Sequence, residues 1–288
     1  MIRIIPINFT KAPVANYFIF PALDRKLKSR NFHSPYLNTG IDTTYLDKGF
    51  FSGTYATSDS ERLTTLSGTI DGKILYFHCN RFALEEAYQS ITDNSVKSTL
   101  QYFFAQLKRS QSSIKGVIID LRNNDGGNIS DLNFFMGHLI NAPLHFGFTR
   151  YKSANGRLAY TPWIDAVIQP QAENVPLTMP IIALADNYTI SLAEAMAMAI
   201  KALPLGVVVG ETTWGATGPI TANVLYNDGP FTVPGFLSVN TSSAEFKYIN
   251  DSIYEGRGFP PDISVPFNLA AINAGKDLPL EKTISLIH

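Results

Sequence analysis

The sequence has one cysteine, Cys79, among 288 residues. An intramolecular disulfide is therefore impossible, and a cysteine-only metal site is excluded. The five histidines, His33, His78, His138, His145 and His288, never fall in a His-x-x-x-His or His-Glu-x-x-His spacing, so a zinc hydrolase has no support and no metal is expected. No stretch of about 18 uncharged apolar residues exists, so the sequence offers no transmembrane helix, and membrane association is not indicated. The opening stretch MIRIIPINFTKAPVANYFIF lacks the basic, long-apolar, small-residue order of a secretory signal. Lys and Arg number 23 against 24 Asp and Glu, a formal net charge of −1, and no basic stripe suggests a nucleic-acid partner.

What is present is enough apolar material, 45% of residues, to bury a sizeable core in one large domain or two modest ones. Residues 1–70 alternate short apolar runs with turn clusters such as SPYLNTG and ATSDSER. They read as a small α+β or irregular N-terminal segment, either complete or the remnant of a longer domain. From residue 71 the pattern sharpens. Asp71-Gly72 is a turn and KILYFHC a buried strand. Asp93, Asn94 and Ser95 offer an N-cap to a helix marked by Val96, Leu100, Phe103, Phe104 and Leu107. KGVIIDLR is a second buried strand, NNDGGN a loop, and Ser130 to Ile140 a helix. MPIIALAD, an Ala- and Met-rich helix from Ser191 to Leu203, and GVVVGE repeat the pattern. After Gly218 the chain turns β-rich, with a turn at Asn227-Asp228-Gly229, and it closes on PDISV and a helical PLEKTISLI. Strand, glycine loop, helix and strand in this order predict an α/β domain with parallel pairing.

Three segments carry candidate chemistry. In LRNNDGGN, Gly126 and Gly127 sit at a strand-to-helix turn, where backbone N–H groups can approach a ligand and face developing negative charge; an ordinary tight turn is the plainer reading. In ADNYTISLAE, Ser191 falls at the first turn of a helix, where the dipole and free N–H groups can stabilise an oxyanion; alone, it would be read as an N-cap, with Glu194 completing a capping box. His78 ends the strand KILYFHC, a place where a hydrogen-bonded core histidine is the usual finding. A nucleophilic serine, however, needs a general base within hydrogen-bond reach.

The order of four segments carries more than any of them alone. GVIIDLRNNDGG, TISLAEAMAMAIKAL, GVVVGETTWGATG and YEGRGFPPDISV, followed by GKDLPLEKTISLI, resemble the C-terminal-processing, or tail-specific, serine peptidases over about residues 72–288. The resemblance implies an α/β spiral core of the Clp-protease and crotonase kind, with 71–288 as the catalytic domain. It also implies a peptide or protein substrate, no cofactor, and an extracytoplasmic (periplasmic) location. Ser191 would be the nucleophile. The oxyanion hole would be the N–H of Leu192 with one from Gly126 or Gly127.

The usual lysine of such a Ser–Lys dyad is replaced by Ala216, and Lys201 and Lys247 stand elsewhere. No peptide-carboxylate-binding loop of a PDZ module is visible. The tricorn-like branch also lacks that lysine and uses a histidine on the strand ahead of the glycine loop, the place of His78. A glutamate before Arg-Gly-x-x-Pro-Asp, here Glu255, is similar to the acid that orients that histidine, and Glu194 competes for the role. His78, Ser191 and Glu255 would form a triad by roles. Two other functions stay open. A binding protein could use the same scaffold without catalysis, as the retinoid-binding branch does. A crotonase-like acyl-CoA enzyme would need a basic nucleotide clamp, which the sequence does not show.

Overall fold

The computed structural model describes residues 43–109, 113–153, 159–171, 177–220, 231–233, 237–239 and 242–287. Its strands are β1 (Phe51–Ala56), β2 (Arg62–Ile70), β3 (Ile74–Cys79), β4 (Gly116–Asp120), β5 (Leu144–Tyr151), β6 (Ile164–Ile168), β7 (Ile181–Ala185), β8 (Gly206–Gly210), β9 (Phe231–Val233), β10 (Leu237–Val239), β11 (Ala244–Tyr248) and β12 (Ile263–Ser264). Among the described residues the α-helices are α1 (Leu84–Gln89), α2 (Ser95–Arg109), α3 (Leu192–Lys201), α4 (Leu269–Asn273) and α5 (Leu278–Ile287).

Among the described residues, seven strands form the main sheet in the order β1-β2-β3-β4-β7-β8-β12. From β3 to β12 the pairing is parallel, whereas β1, β2 and β3 form an antiparallel meander. The centre is parallel because ILYFHC, GVIID and IIALA are apolar along almost their whole length and can be covered on both faces; every residue of these three strands is buried. The β2–β3 turn follows from Asp71 and Gly72, which both take positive φ (52° and 63°) while Lys73 N–H donates to Ile70 O. The expected boundary at residue 70 runs through this sheet, since β1 and β2 pair into it. The turn expected at Asn227-Asp228-Gly229 lies outside the described residues.

Side chains alternate between two core layers. Leu75, Phe77 and Cys79 of β3 enter the layer that holds α2 and α3, while Ile74 and Tyr76 enter the opposite layer with Leu280 of α5. The helix expected over Ser130 to Ile140 is shorter and contains a π-helical turn, Leu132–Met136. The wider turn narrows the angular step per residue, which lets the adjacent Phe134 and Phe135 both face the core.

Among the described residues the chain divides into two compact units. The larger takes residues before 149, 165–217 and after 245; the smaller takes 149–164 and 218–245. Within the smaller unit, Arg150 Nε donates to Glu245 (2.7 Å), and its guanidinium lies 4.5 Å from the ring centres of Tyr160 and of Trp163.

In the larger unit α1 is capped from a distance. Asp131, fully buried, accepts from Leu84 N (2.6 Å) and Glu85 N (2.9 Å). Burial outweighs these bonds and pushes its carboxyl up to about 6. Between the unfolded value near 3.9 and this one, the folded chain binds more protons than the unfolded chain, so this group makes stability fall as pH rises from about 4 to 6. Asp131→Asn should remove that slope. In thermal melts, the stability of wild type relative to the variant should drop by on the order of 2–3 kcal/mol between pH 4 and 7. Parallel pH profiles for the two proteins would refute the prediction.

Candidate active site

Strand β7 delivers the chain to a tight loop at the C-terminal edge of the sheet. Asp186 Oδ1 accepts from Tyr188 N (2.8 Å) and Asn123 N (3.1 Å), and Thr189 Oγ1 donates to Leu121 O (2.9 Å). These bonds tie the loop to the one that follows β4. Ser191 then takes φ 57° and ψ −118° at the N-terminus of α3. A non-glycine residue held there costs about 1–3 kcal/mol and marks a strained strand-to-helix turn of the kind that presents a serine hydroxyl.

Glu194 fixes that turn. It is fully buried and accepts from Ser191 N (3.0 Å), Thr213 Oγ1 (2.5 Å), Gly215 N (2.6 Å) and Ala216 N (2.7 Å). Burial pushes its carboxyl up, and the four donors oppose that shift. The carboxylate therefore clamps the loop that bears Ala216 onto the serine. With four donors around it, Glu194 orients Ser191 and that loop.

The glycine loop lies against this turn. A Cβ on Gly126 would stand 2.7 Å from Ser191 Cβ and 2.9 Å from Leu192 N, so only glycine permits the approach. Gly126 has φ 94° and Gly127 φ 142°. Gly126 N–H donates to Asn124 Oδ1 (2.9 Å), which turns it into the protein. Phe82 N–H donates to Gly126 O (2.7 Å) and Asn128 N–H to Phe82 O (2.9 Å). The N–H groups of Gly127 and Leu192 make no hydrogen bond among the described residues. Of the two glycine amides offered by the sequence, Gly126 is thus in use elsewhere.

His78, only 1% exposed, pairs across the sheet with Asp120, and its Nδ1 donates to Asp120 O (3.0 Å). That bond fixes the tautomer with the proton on Nδ1 and leaves the Nε2 lone pair open. Nε2 is buried and has no hydrogen-bond partner among the described residues. Burial pulls the imidazole pKa down, with the Asp120 charge opposing, so the ring is neutral at neutral pH.

The expected triad contacts are absent. By strand alternation His78 follows Ile74 and Tyr76 onto the α5 face of the sheet, whereas α3 packs on the other face. No hydrogen bond joins it to Ser191, and Glu255 accepts instead from Thr217 Oγ1 (3.2 Å). The nitrogen of His78 that an acid would orient is held instead by a backbone carbonyl of the neighbouring strand.

Behind His78 lies a buried ionic network that the sequence did not disclose. Arg122 donates to Asp120 through Nε (2.9 Å) and an Nη (2.6 Å), and to both oxygens of Asp277 (2.8 and 2.9 Å). Tyr76 Oη adds a bond to Asp120 (2.8 Å). Burial works against the Asp120 charge, but Arg122 beside it holds the carboxyl below its usual value. The one signal was a pair of charged residues, Asp-x-Arg, closing an otherwise apolar strand. Neither Lys201 nor Lys247 is at the serine: Lys201 pairs with Asp262, and Lys247 with Asp251 (2.6 Å).

Residues 73–265 match the family described as peptidase family S41. The tricorn protease of Thermoplasma volcanium is 28% identical over 177 residues, 62% of this chain and 15% of that protein. The tricorn protease of Thermoplasma acidophilum is 24% identical over 232 residues, 80% of this chain and 19% of that protein. The chain thus spans less than a fifth of the length of these two relatives. The crystal structure of mature CPAF superposes with a TM-score of 0.61 over 92% of this chain and 60% of that one, at 15% identity, and so shares the fold.

Proposed function

The chain belongs to peptidase family S41, and on that premise we propose that it hydrolyses peptide bonds through an acyl-enzyme on Ser191. The observation that carries the reading is the strained Ser191 turn, with Gly126 packed so closely against it that a Cβ there would stand 2.7 Å from Ser191 Cβ. Beside it, the N–H groups of Leu192 and Gly127 have no hydrogen-bond partner among the described residues. Ser191 Oγ would attack the substrate carbonyl, and the oxyanion would be held by Leu192 N–H and Gly127 N–H. Such donors contribute about 2.7–4 kcal/mol each to the transition state.

His78 is the base in this proposal. In its favour are a neutral ring and an Nε2 lone pair with no competing partner among the described residues. Asp120 O, not Glu255, would keep the proton on Nδ1 while Nε2 takes the serine proton and returns it to the leaving amine. Because burial lowers the imidazole pKa, the active neutral form persists to lower pH than in an ordinary histidine. The kcat/KM profile should therefore rise at or below about pH 6.5 and be level by neutrality. His78→Ala should lose nearly all activity at every pH. A variant that keeps its rate would remove His78 from the mechanism.

One observation favours a second reading, a binding protein on the same scaffold without catalysis. Strand alternation sets His78 with Ile74 and Tyr76, on the face of the sheet opposite α3, and no hydrogen bond joins it to Ser191. Covalent labelling by a fluorophosphonate separates the two, since only an activated serine reacts.

A further inference from the structure

Resting on the peptidase reading, we propose that Asn124 is a positioning residue that selects which glycine amide faces the oxyanion. Asn124 is fully buried and stands in the glycine loop, two residues before Gly126. Its Nδ2 donates to Cys79 O (2.8 Å) at the end of β3 and reaches Cys79 Sγ (3.3 Å). Its Oδ1 accepts Gly126 N–H (2.9 Å). Its backbone carbonyl accepts Ile190 N–H (2.9 Å), the amide just before the nucleophile. One side chain thus joins the end of β3 to the glycine loop, and its backbone joins that loop to the serine turn.

The amide cannot be turned over. A flip would set its NH2 against the Gly126 N–H and its oxygen against the Cys79 carbonyl, two repulsions in a buried place. The Gly126 N–H is therefore held inward. Gly126 O and Asn128 N–H both bond Phe82, so the N–H of Gly127 between them points away from Phe82. Where the loop touches the serine turn, at Gly126, the donors left for an oxyanion are those of Gly127 and Leu192. Removing the Asn124 amide would release the Gly126 N–H and let the peptide planes of the loop rotate. The ground-state contacts of a substrate would persist, while the transition state would lose a fixed donor.

The probe is a fluorophosphonate–rhodamine reagent, with the inactivation rate and the reagent's half-saturating concentration measured separately from pH 5 to 8. For Asn124→Ala the rate should fall about 10²-fold, with half-saturation within about threefold of wild type. Asn124→Asp tells more. When protonated, a buried carboxyl donates to Cys79 O and accepts from Gly126 N–H, as the amide does; when ionised, it loses the donor and faces a carbonyl. The ratio of Asn124→Asp to wild-type rate should therefore be highest at acidic pH and fall as pH rises, a trend that a loss of packing would not produce. This second variant also decides the matter if Asn124→Ala fails to fold. A wild-type rate in Asn124→Ala, or a ratio flat with pH in Asn124→Asp, overturns the positioning role and leaves Ser191 as nucleophile. A wild-type protein that takes no label overturns the peptidase reading and this role with it.

Discussion

Ser191→Ala should leave a folded protein whose peptide hydrolysis falls by about 10⁴–10⁶-fold, the scale on which removal of a nucleophilic serine acts. Loss of one partly exposed hydroxyl removes little packing, and the Glu194 bonds to Ser191 N, Thr213, Gly215 and Ala216 do not involve the serine side chain. The melting temperature should therefore stay within about 2 °C of wild type. A companion variant reads the strain. Ser191 has φ 57°, which glycine adopts without steric cost. Ser191→Gly should be as inactive as Ser191→Ala yet melt about 2–4 °C higher, since relief of about 1 kcal/mol shifts a chain of this size by that much. Turnover retained by either variant would exclude Ser191 as the nucleophile.

Gly126→Ala should lower kcat by about 10³-fold. The new methyl would enter at 2.7 Å from Ser191 Cβ, 2.9 Å from Ile190 O and 2.9 Å from Leu192 N, and φ 94° is poorly tolerated by alanine. Something must shift, and each candidate belongs to the nucleophile turn or to the donors beside it. A displacement of about 1 Å in reacting groups costs about 10²-fold, and loss of one oxyanion donor costs about 10²–10³-fold. Gly72→Ala is the control: it also has positive φ (63°), but nothing lies within 4 Å of its Cβ. It should cost about 1 kcal/mol of stability and leave kcat unchanged. Equal kcat values for Gly126→Ala and wild type would mean that the glycine loop does not serve the serine.

The parts of this protein that are legible in its sequence are those set by local rules. KILYFHC, GVIID and IIALA are short, apolar and bounded by turn residues, and they form the centre of the sheet. The Asp71-Gly72 turn is legible because both residues favour positive φ. The β1–β2 hairpin is not, because RLTTLSGTI carries Thr65 and Ser67 at buried positions, which breaks the apolar signal of a strand. Ser191 and the two glycines can be singled out because each lies at a strand-to-helix transition. The links that depend on distant partners stay hidden. Glu194 competes in sequence for the role of histidine partner, but its oxygens are filled by residues 213–216, which only the fold brings to it. The His78–Glu255 contact rests on resemblance alone, although strand alternation already places His78 with Ile74 and Tyr76, on the α5 face. Asn124 looks like one loop residue among several, since neither Cys79 nor Ile190 is near it in sequence.

The most direct test of an activated Ser191 is site mapping of a covalent label. Wild-type protein and Ser191→Ala are incubated with a fluorophosphonate, digested, and read by peptide mass spectrometry. The account predicts one phosphonylated peptide in wild type, with the adduct on Ser191, abolished by prior heat denaturation and absent from Ser191→Ala. An adduct on another serine, or a folded wild-type protein that takes no label between about pH 5 and 9, would contradict it.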